Sequence, residues 1–308
     1  MARKKISIGS WAYSIGPYQS NPVPFEQVVK QLKELGFDGV ELGGFPPHPN
    51  PDDCPDLASR LAVKKLVEDA GLEFSGLAAN LWMHKIISVE DNRPFLNEFE
   101  KNLRFARDLG ITTIRVDTLE PADVLSRVDY NVGKDRVVKS FREASRRAAD
   151  DGIRVCWEFE PGFAFNKPSE IVAIVDAVGM DNFGVLFDTC HANMCAKVGA
   201  RQFGKKEVLA DGPYGLLKML KGKITHLHLI DSDDTCHKDA QGNDETSAHP
   251  PFGEGNLDFD RLVPDLLTCG VPNDWWAIDL CFWANAWDAT AKCKKYLDDL
   301  RTRHHVAA

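Results

Sequence analysis

Four short apolar runs in this sequence each end in a side chain that can bind a cation or move a proton. VCWEF carries Glu158, GVLFDTCH carries Asp188, THLHLID carries His228 and WWAID carries Asp279. A parallel strand covered on both faces reads as continuous apolar residues, so a carboxylate at its tip is out of place on packing grounds. In parallel α/β folds the C-terminal strand ends are where chemistry is carried out. Three carboxylates and one imidazole make a hard, oxygen-rich donor set. Such a set suits Mn²⁺ first, with Mg²⁺, Co²⁺ or Zn²⁺ as alternatives. Four protein ligands on a six-coordinate ion leave two positions for substrate oxygens, which is an open, catalytic arrangement. Each residue alone has a plainer role, since an Asp at a strand end commonly caps the next helix. The coincidence of type and place at four strand ends is what calls for a site.

Neighbouring residues extend the pattern. His226 and His228 are two apart and share one face of a strand. Asp231 is placed to hold the ring of a ligating histidine, the usual arrangement behind such a ligand. His191, three after Asp188, falls where the next helix begins and can reach a substrate hydroxyl. Glu41, in FDGVEL, reads equally well as a structural ion-pair partner. Aromatic residues gather near strand ends and loops, among them Trp11, Trp82, Phe163 and Trp283. Part of this set is barrel packing, and part, including Trp11, is expected to wall a pocket that contacts substrate.

These residues need a scaffold. The chain has 308 residues, 44% hydrophobic and 27% charged, with a net charge of −9. That balance is globular. The acidic surplus and the lack of a basic face predict that the partner is neither nucleic acid nor membrane. The eight cysteines contain no C-x-x-C pair, and most lie inside apolar runs, so reduced thiols in a cytoplasmic protein are expected. Ile6–Ser10 reads as a strand and Phe25–Leu35 as a helix closed by Gly36. The alternation then repeats: strands near 37–42, 73–77, 113–117, 155–158, 185–188, 224–230 and 276–280, and helices near 57–70, 95–109, 137–149, 168–178, 208–220, 258–267 and 288–300. Residues 231–256 form a long polar loop. Eight strand–helix pairs without a linker predict one α/β domain over 1–308, a single (β/α)8 TIM barrel. A doubly wound sheet would open with a Gly-rich nucleotide turn, and GSWAYS is not one.

With those elements in order, the sequence resembles the xylose-isomerase-like TIM-barrel family of sugar phosphate isomerases and epimerases. The resemblance rests on LGFDGVEL, VCWEFEP, NFGVLFDTCH, HLHLID and PFGEGNLDF, which run in order along nearly the whole chain. It implies metal ligation by Glu158, Asp188, His228 and Asp279. It also implies a substrate contact at His191 and proton transfer by Glu158 and Asp279. Two positions depart from the family pattern. Asp279 stands where a Glu is usual, and Ala164 stands where ketose 3-epimerases have a second Glu, with Glu160 the nearest carboxylate to orient the sugar. The implied activity is that of a divalent-metal-dependent isomerase or epimerase acting on a sugar or sugar derivative. It abstracts a proton next to a carbonyl and passes through a metal-stabilised enediolate. A lyase with the same first step, of the inosose dehydratase or 3-oxo-glycoside-cleaving type, is the alternative. An inactive sugar-binding barrel and an AP-endonuclease-like nuclease are remoter ones. Homo-oligomerisation is compatible with the family.

Overall fold

The computed structural model describes residues 3–307. Ten strands occur among them: β1 (Lys5–Ile8), β2 (Gly39–Gly44), β3 (Glu73–Ala79), β4 (Thr113–Val116), β5 (Arg154–Glu158), β6 (Phe183–Asp188), β7 (Ile224–Leu229), β8 (Cys236–Lys238), β9 (Asp244–Ser247) and β10 (Trp275–Ile278). All but β8 and β9 pair in parallel, in the order β1-β10-β7-β6-β5-β4-β3-β2. A bridge between Gly9 and Glu41 brings the two end strands together. This is the (β/α)8 barrel that the alternation of elements predicts. β8 and β9 pair antiparallel with each other as a separate hairpin.

Nine α-helices accompany the strands: α1 (Phe25–Glu34), α2 (Leu57–Asp69), α3 (Arg93–Leu109), α4 (Tyr130–Ala149), α5 (Pro168–Val178), α6 (Thr189–Asn193), α7 (Gly212–Met219), α8 (Phe259–Thr268) and α9 (Ala286–Arg303). Their inward faces follow the sequence period. In α1, Phe25, Val28, Val29 and Leu32 are the buried residues. α4 starts at Tyr130 rather than Val137. Its first turns are polar and show no apolar period, and Asp129 caps them by accepting from the Asn131 and Val132 amides. One core of large side chains, with Trp157, Trp276, Phe141 and Phe187 fully buried, fills the space between sheet and helices. All eight cysteines are free. No helix among the described residues is long and apolar enough to cross a membrane.

Two departures bear on function. The segment 231–256 is not featureless: it contains the β8–β9 hairpin, which folds over the C-terminal mouth of the barrel. The loop after it, PFGEGNL, is wrapped around Asp231. The Asp231 carboxylate accepts from the amides of Gly253 (2.9 Å), Gly255 (3.1 Å) and Leu257 (3.0 Å), as well as from its neighbour Ser232. A Cβ on Gly255 would come within 2.4 Å of that carboxylate, so only glycine allows the approach. Asp231 is therefore a loop anchor and does not hold a histidine ring, contrary to the expectation from its spacing.

Candidate active site

Strand register brings the predicted residues together. Asp188 lies beside His228 across β6 and β7, Glu158 pairs with Leu186, and Ala277 pairs with His228 so that Asp279 follows at the next strand end. All four side chains are buried, and Glu158, Asp188, His228 and Asp279 each offer a ligand atom within 4.8 Å of the others.

The hydrogen bonds behind this cluster set its orientation. His228 Nε2 lies 3.0 Å from Glu41 Oε1, and Glu41 Oε2 is 2.8 Å from His226 Nε2. The carboxylate can only accept, so it draws the ring proton to Nε2 and turns Nδ1 toward the cluster. There Nδ1 is 3.0 Å from Glu158 Oε1 and 3.7 Å from Asp279 Oδ2. Burial opposes a charged imidazole, but the Glu41 and Glu158 carboxylates outweigh it and hold His228 well above the usual histidine range. A charge facing Nδ1, whether a proton or a cation, is what this environment favours.

Asp188 answers both of its sequence readings. Oδ1 caps α6 by accepting from the His191 amide at 2.6 Å, while Oδ2 is buried without a hydrogen-bond partner. Burial, with Asp279 and Glu158 alongside, pushes the Asp188 carboxyl well above its ordinary range. An orphaned oxygen among crowded carboxylates is the environment that a divalent cation relieves, and the donor set fits one. On the far side, Asp279 Oδ1 accepts from Trp11 Nε1 at 2.7 Å and lies 3.1 Å from Cys281 Sγ. The Trp11 ring packs so closely over Gly9 that a Cβ there would sit 2.2 Å from it.

Two participants carry no motif signal. Arg115, inside β4, is partly buried and directs its guanidinium at three acids, the most distant being Glu160, 3.9 Å from Nη2. Nε and Nη2 reach Asp117 at 3.0 and 3.2 Å, and Nη1 lies 2.6 Å from Glu158 Oε2. Burial raises the Glu158 carboxyl, but Arg115 and His228 overcome that and keep it below its usual range. An arginine in an apolar strand has to be paired when buried, and that was the available signal. His249, in the loop after β9, is fully inside the site. Its Nε2 is 3.4 Å from Asp279 Oδ2, and neither ring nitrogen has a hydrogen-bond partner. Its φ of 48° is left-handed, a strain of about 1–3 kcal/mol for a non-glycine residue, and such strain clusters at functional sites.

The cluster opens into a cavity of about 490 Å³. Trp11, Phe45, Trp82, Phe163 and Phe282 give it aromatic walls, and β9 supplies Glu245 and Thr246 at the rim. The hairpin is tied down by Ser247, 2.8 Å from His191 Nδ1, by Thr246 on Glu160, and by His237 stacked on Phe282 at 4.0 Å. His191, Trp11 and Glu160 all line the cavity. Burial and the adjacent His249 hold His191 down at about 3, so its ring is neutral. Burial, reinforced by Glu158 and Asp117 against Arg115, pushes Glu160 up to about 8.

Residues 29–289 match the family described as the xylose isomerase-like TIM barrel. The chain belongs to this family. Among characterised members it is similar to an inosose dehydratase of Yersinia enterocolitica, 22% identical over 243 residues covering 75% of this chain and 72% of the relative. It is also similar to a D-psicose 3-epimerase of Agrobacterium fabrum, 28% identical over 196 residues, 60% and 61% of the two chains. Among solved structures of the fold, the IolI protein with a bound zinc atom superposes with a TM-score of 0.72 at 17% identity, covering 97% of this chain and 98% of its own. Within this xylose isomerase-like barrel, Glu41, Arg115 and His249 are the site residues that spacing did not single out.

Proposed function

We propose that this barrel is a divalent-metal-dependent sugar isomerase or epimerase. The observation that carries the reading is the convergence of Glu158 and Asp279, which line the aromatic cavity, with His228 and Asp188 and its orphaned oxygen fully buried beside them. These four residues would hold the ion. Mn²⁺ suits the oxygen-rich set, and the zinc atom bound by the IolI protein, which shares the fold, supports a divalent cation. When bound, the cation supplies Lewis acidity that drains charge from a substrate carbonyl and lowers the cost of losing the neighbouring proton.

The chain's own groups do the rest. Glu158, kept ionised by Arg115, takes the proton from the carbon beside the carbonyl. Asp279, facing it across the cluster, returns a proton at the same carbon or at its neighbour. Glu160 is largely protonated near neutral pH and offers a donor to a sugar hydroxyl, while neutral His191 offers Nε2. The Thr246 and Ser247 contacts keep the hairpin over the site, which limits water access.

The cavity favours a neutral substrate. Its acids, Asp117, Glu158, Glu160, Glu245 and Asp279, outnumber Arg115 and Arg201, and Arg115 is already engaged by Asp117 and Glu158. A phosphate would find no spare pair of cations there. Free ketoses and inososes are the substrates to test, with uptake of deuterium from solvent in the presence of Mn²⁺ as the readout. No exchange into any of them, with metal bound, would exclude enolisation.

A dehydratase is the second reading, and Asp279 favours it. Burial raises that carboxyl, but His249 and His228 outweigh the effect and hold it well below its ordinary range. Trp11 and Cys281 also occupy its Oδ1. A group so placed serves better as a ligand than as a proton carrier. Asp279→Asn separates the two cases. An epimerase should stay at least about a hundredfold slow at saturating Mn²⁺, the scale of losing an acid–base group. A dehydratase, which needs one abstraction, should recover most of its rate as Mn²⁺ is raised.

The Glu41 carboxylate has its own expected effect. Glu41→Gln turns an acceptor-only partner into one that can also donate, so the His228 tautomer is no longer imposed. Mn²⁺ affinity by calorimetry should fall about 10–100-fold with the barrel intact. Unchanged affinity would mean that packing alone orients the ring.

A further inference from the structure

Two side chains beside the proposed ion are left without a task by that reading, His249 and Cys281, and both reach Asp279. His249, Asp279 and Cys281 each offer a ligand atom within 4.8 Å of the other two, and all three are buried and line the cavity. His249 Nε2 lies 3.4 Å from Asp279 Oδ2, and the Cys281 thiol donates to Asp279 Oδ1 at 3.1 Å. Donors around a tetrahedral zinc ion are separated by about 3.3–3.6 Å. Three donors already gathered within 4.8 Å of one another need side-chain adjustment, but no backbone rearrangement, to reach that spacing. His249 supplies the independent sign that something binds here. It is 1% exposed, both ring nitrogens lack a partner, and its backbone is held left-handed to keep the ring in the site.

We propose that His249, Asp279 and Cys281 form a second cation site, sharing Asp279 with the first. The donors are one thiolate, one imidazole and one carboxylate. That is the borderline-soft set of Zn²⁺ or Co²⁺, unlike the oxygen-rich set beside it. Three protein donors leave a tetrahedral ion one open position, directed into the cavity, where a substrate oxygen can enter. Binding requires the Cys281 thiol to release its proton to solvent, so one proton leaves per ion bound. The shared carboxylate makes the pair a two-ion centre, a geometry suited to clamping two neighbouring substrate oxygens. The inference rests on the first ion only through Asp279.

Co²⁺ titration of the metal-free full-length chain tests it, with absorbance and elemental analysis as readouts. Two equivalents should bind, and one of them should bring the near-ultraviolet charge-transfer absorption of a cobalt–sulfur bond. Cys281→Ser should abolish that absorption and lose one equivalent. His249→Asn, which tolerates the left-handed backbone, should weaken the same equivalent while Cys281 remains. Asp188→Asn should keep the sulfur band. One equivalent without a sulfur band in the wild-type chain would overturn the second site and leave the first intact. A band that persists in Cys281→Ser would overturn it as well, because another cysteine would then be the ligand. Retention of both equivalents in Asp188→Asn would count against the first site alone. Should Cys281→Ser fail to fold by circular dichroism, His249→Asn decides in its place: weakening of the sulfur-bearing equivalent supports the site, and an unchanged band and affinity overturn it.

Discussion

Glu158→Gln is expected to lower turnover by at least about a hundredfold while a measurable Mn²⁺ affinity survives. The amide keeps an oxygen for the ion and nearly the same shape, but it cannot accept a proton at neutral pH. The environment sharpens the expectation. Glu158 Oε2 faces Arg115 Nη1 at 2.6 Å, and Oε1 faces His228 Nδ1 at 3.0 Å. Replacing the carboxylate leaves the guanidinium with Asp117 as its close partner and weakens the pull on the ring. Some loss of metal affinity therefore accompanies the loss of rate. Turnover measured across a Mn²⁺ titration separates the two effects: the rate deficit should persist at saturation. If saturating Mn²⁺ restores solvent-deuterium exchange to the wild-type level, another residue is the base, and His191 is the next candidate in the cavity.

The second large effect is on binding. Asp188→Asn should remove the thermal stabilisation that Mn²⁺ gives to the wild-type chain. An ion present at a hundred times its dissociation constant stabilises the folded state by about 2.7 kcal/mol, and the variant should show little of this at the same concentration. The asparagine oxygen still caps α6 through the His191 amide, so the helix start is retained. The metal-free variant should melt at or above the metal-free wild type. Asp188 is pushed well above its ordinary range by burial and by Asp279 and Glu158, so the neutral amide removes a like-charge cost. Melting curves of both proteins with and without Mn²⁺ check the two signs together. An equal Mn²⁺ shift in the two proteins would remove Asp188 from the ligand set.

The barrel was legible in the sequence because its signals are local. Apolar strand runs, helical spacing and glycine stops recur along the chain, and each depends on residues near one another. The four strand-end residues were legible for the same reason, since a polar side chain closing an apolar run conflicts with packing where it stands. α4 shows the limit of that signal: its polar first turns, capped by Asp129, have no period to read. The partners of the four residues were decided by the tertiary structure. Glu41 and His228 are far apart in sequence and meet only across the barrel interior, so nothing local distinguished Glu41 from Asp231 as the group behind the ring. Arg115 acquires its role from acids on its own strand end and on β5. His249 lies in a segment without periodicity, and only the fold of the β8–β9 hairpin over the mouth carries it into the cluster. Residue type and strand order determine which donors stand at the mouth of this barrel. Their distances, tautomers and charge states arise from side chains converging across the closed sheet, where burial strengthens every pairing and every repulsion.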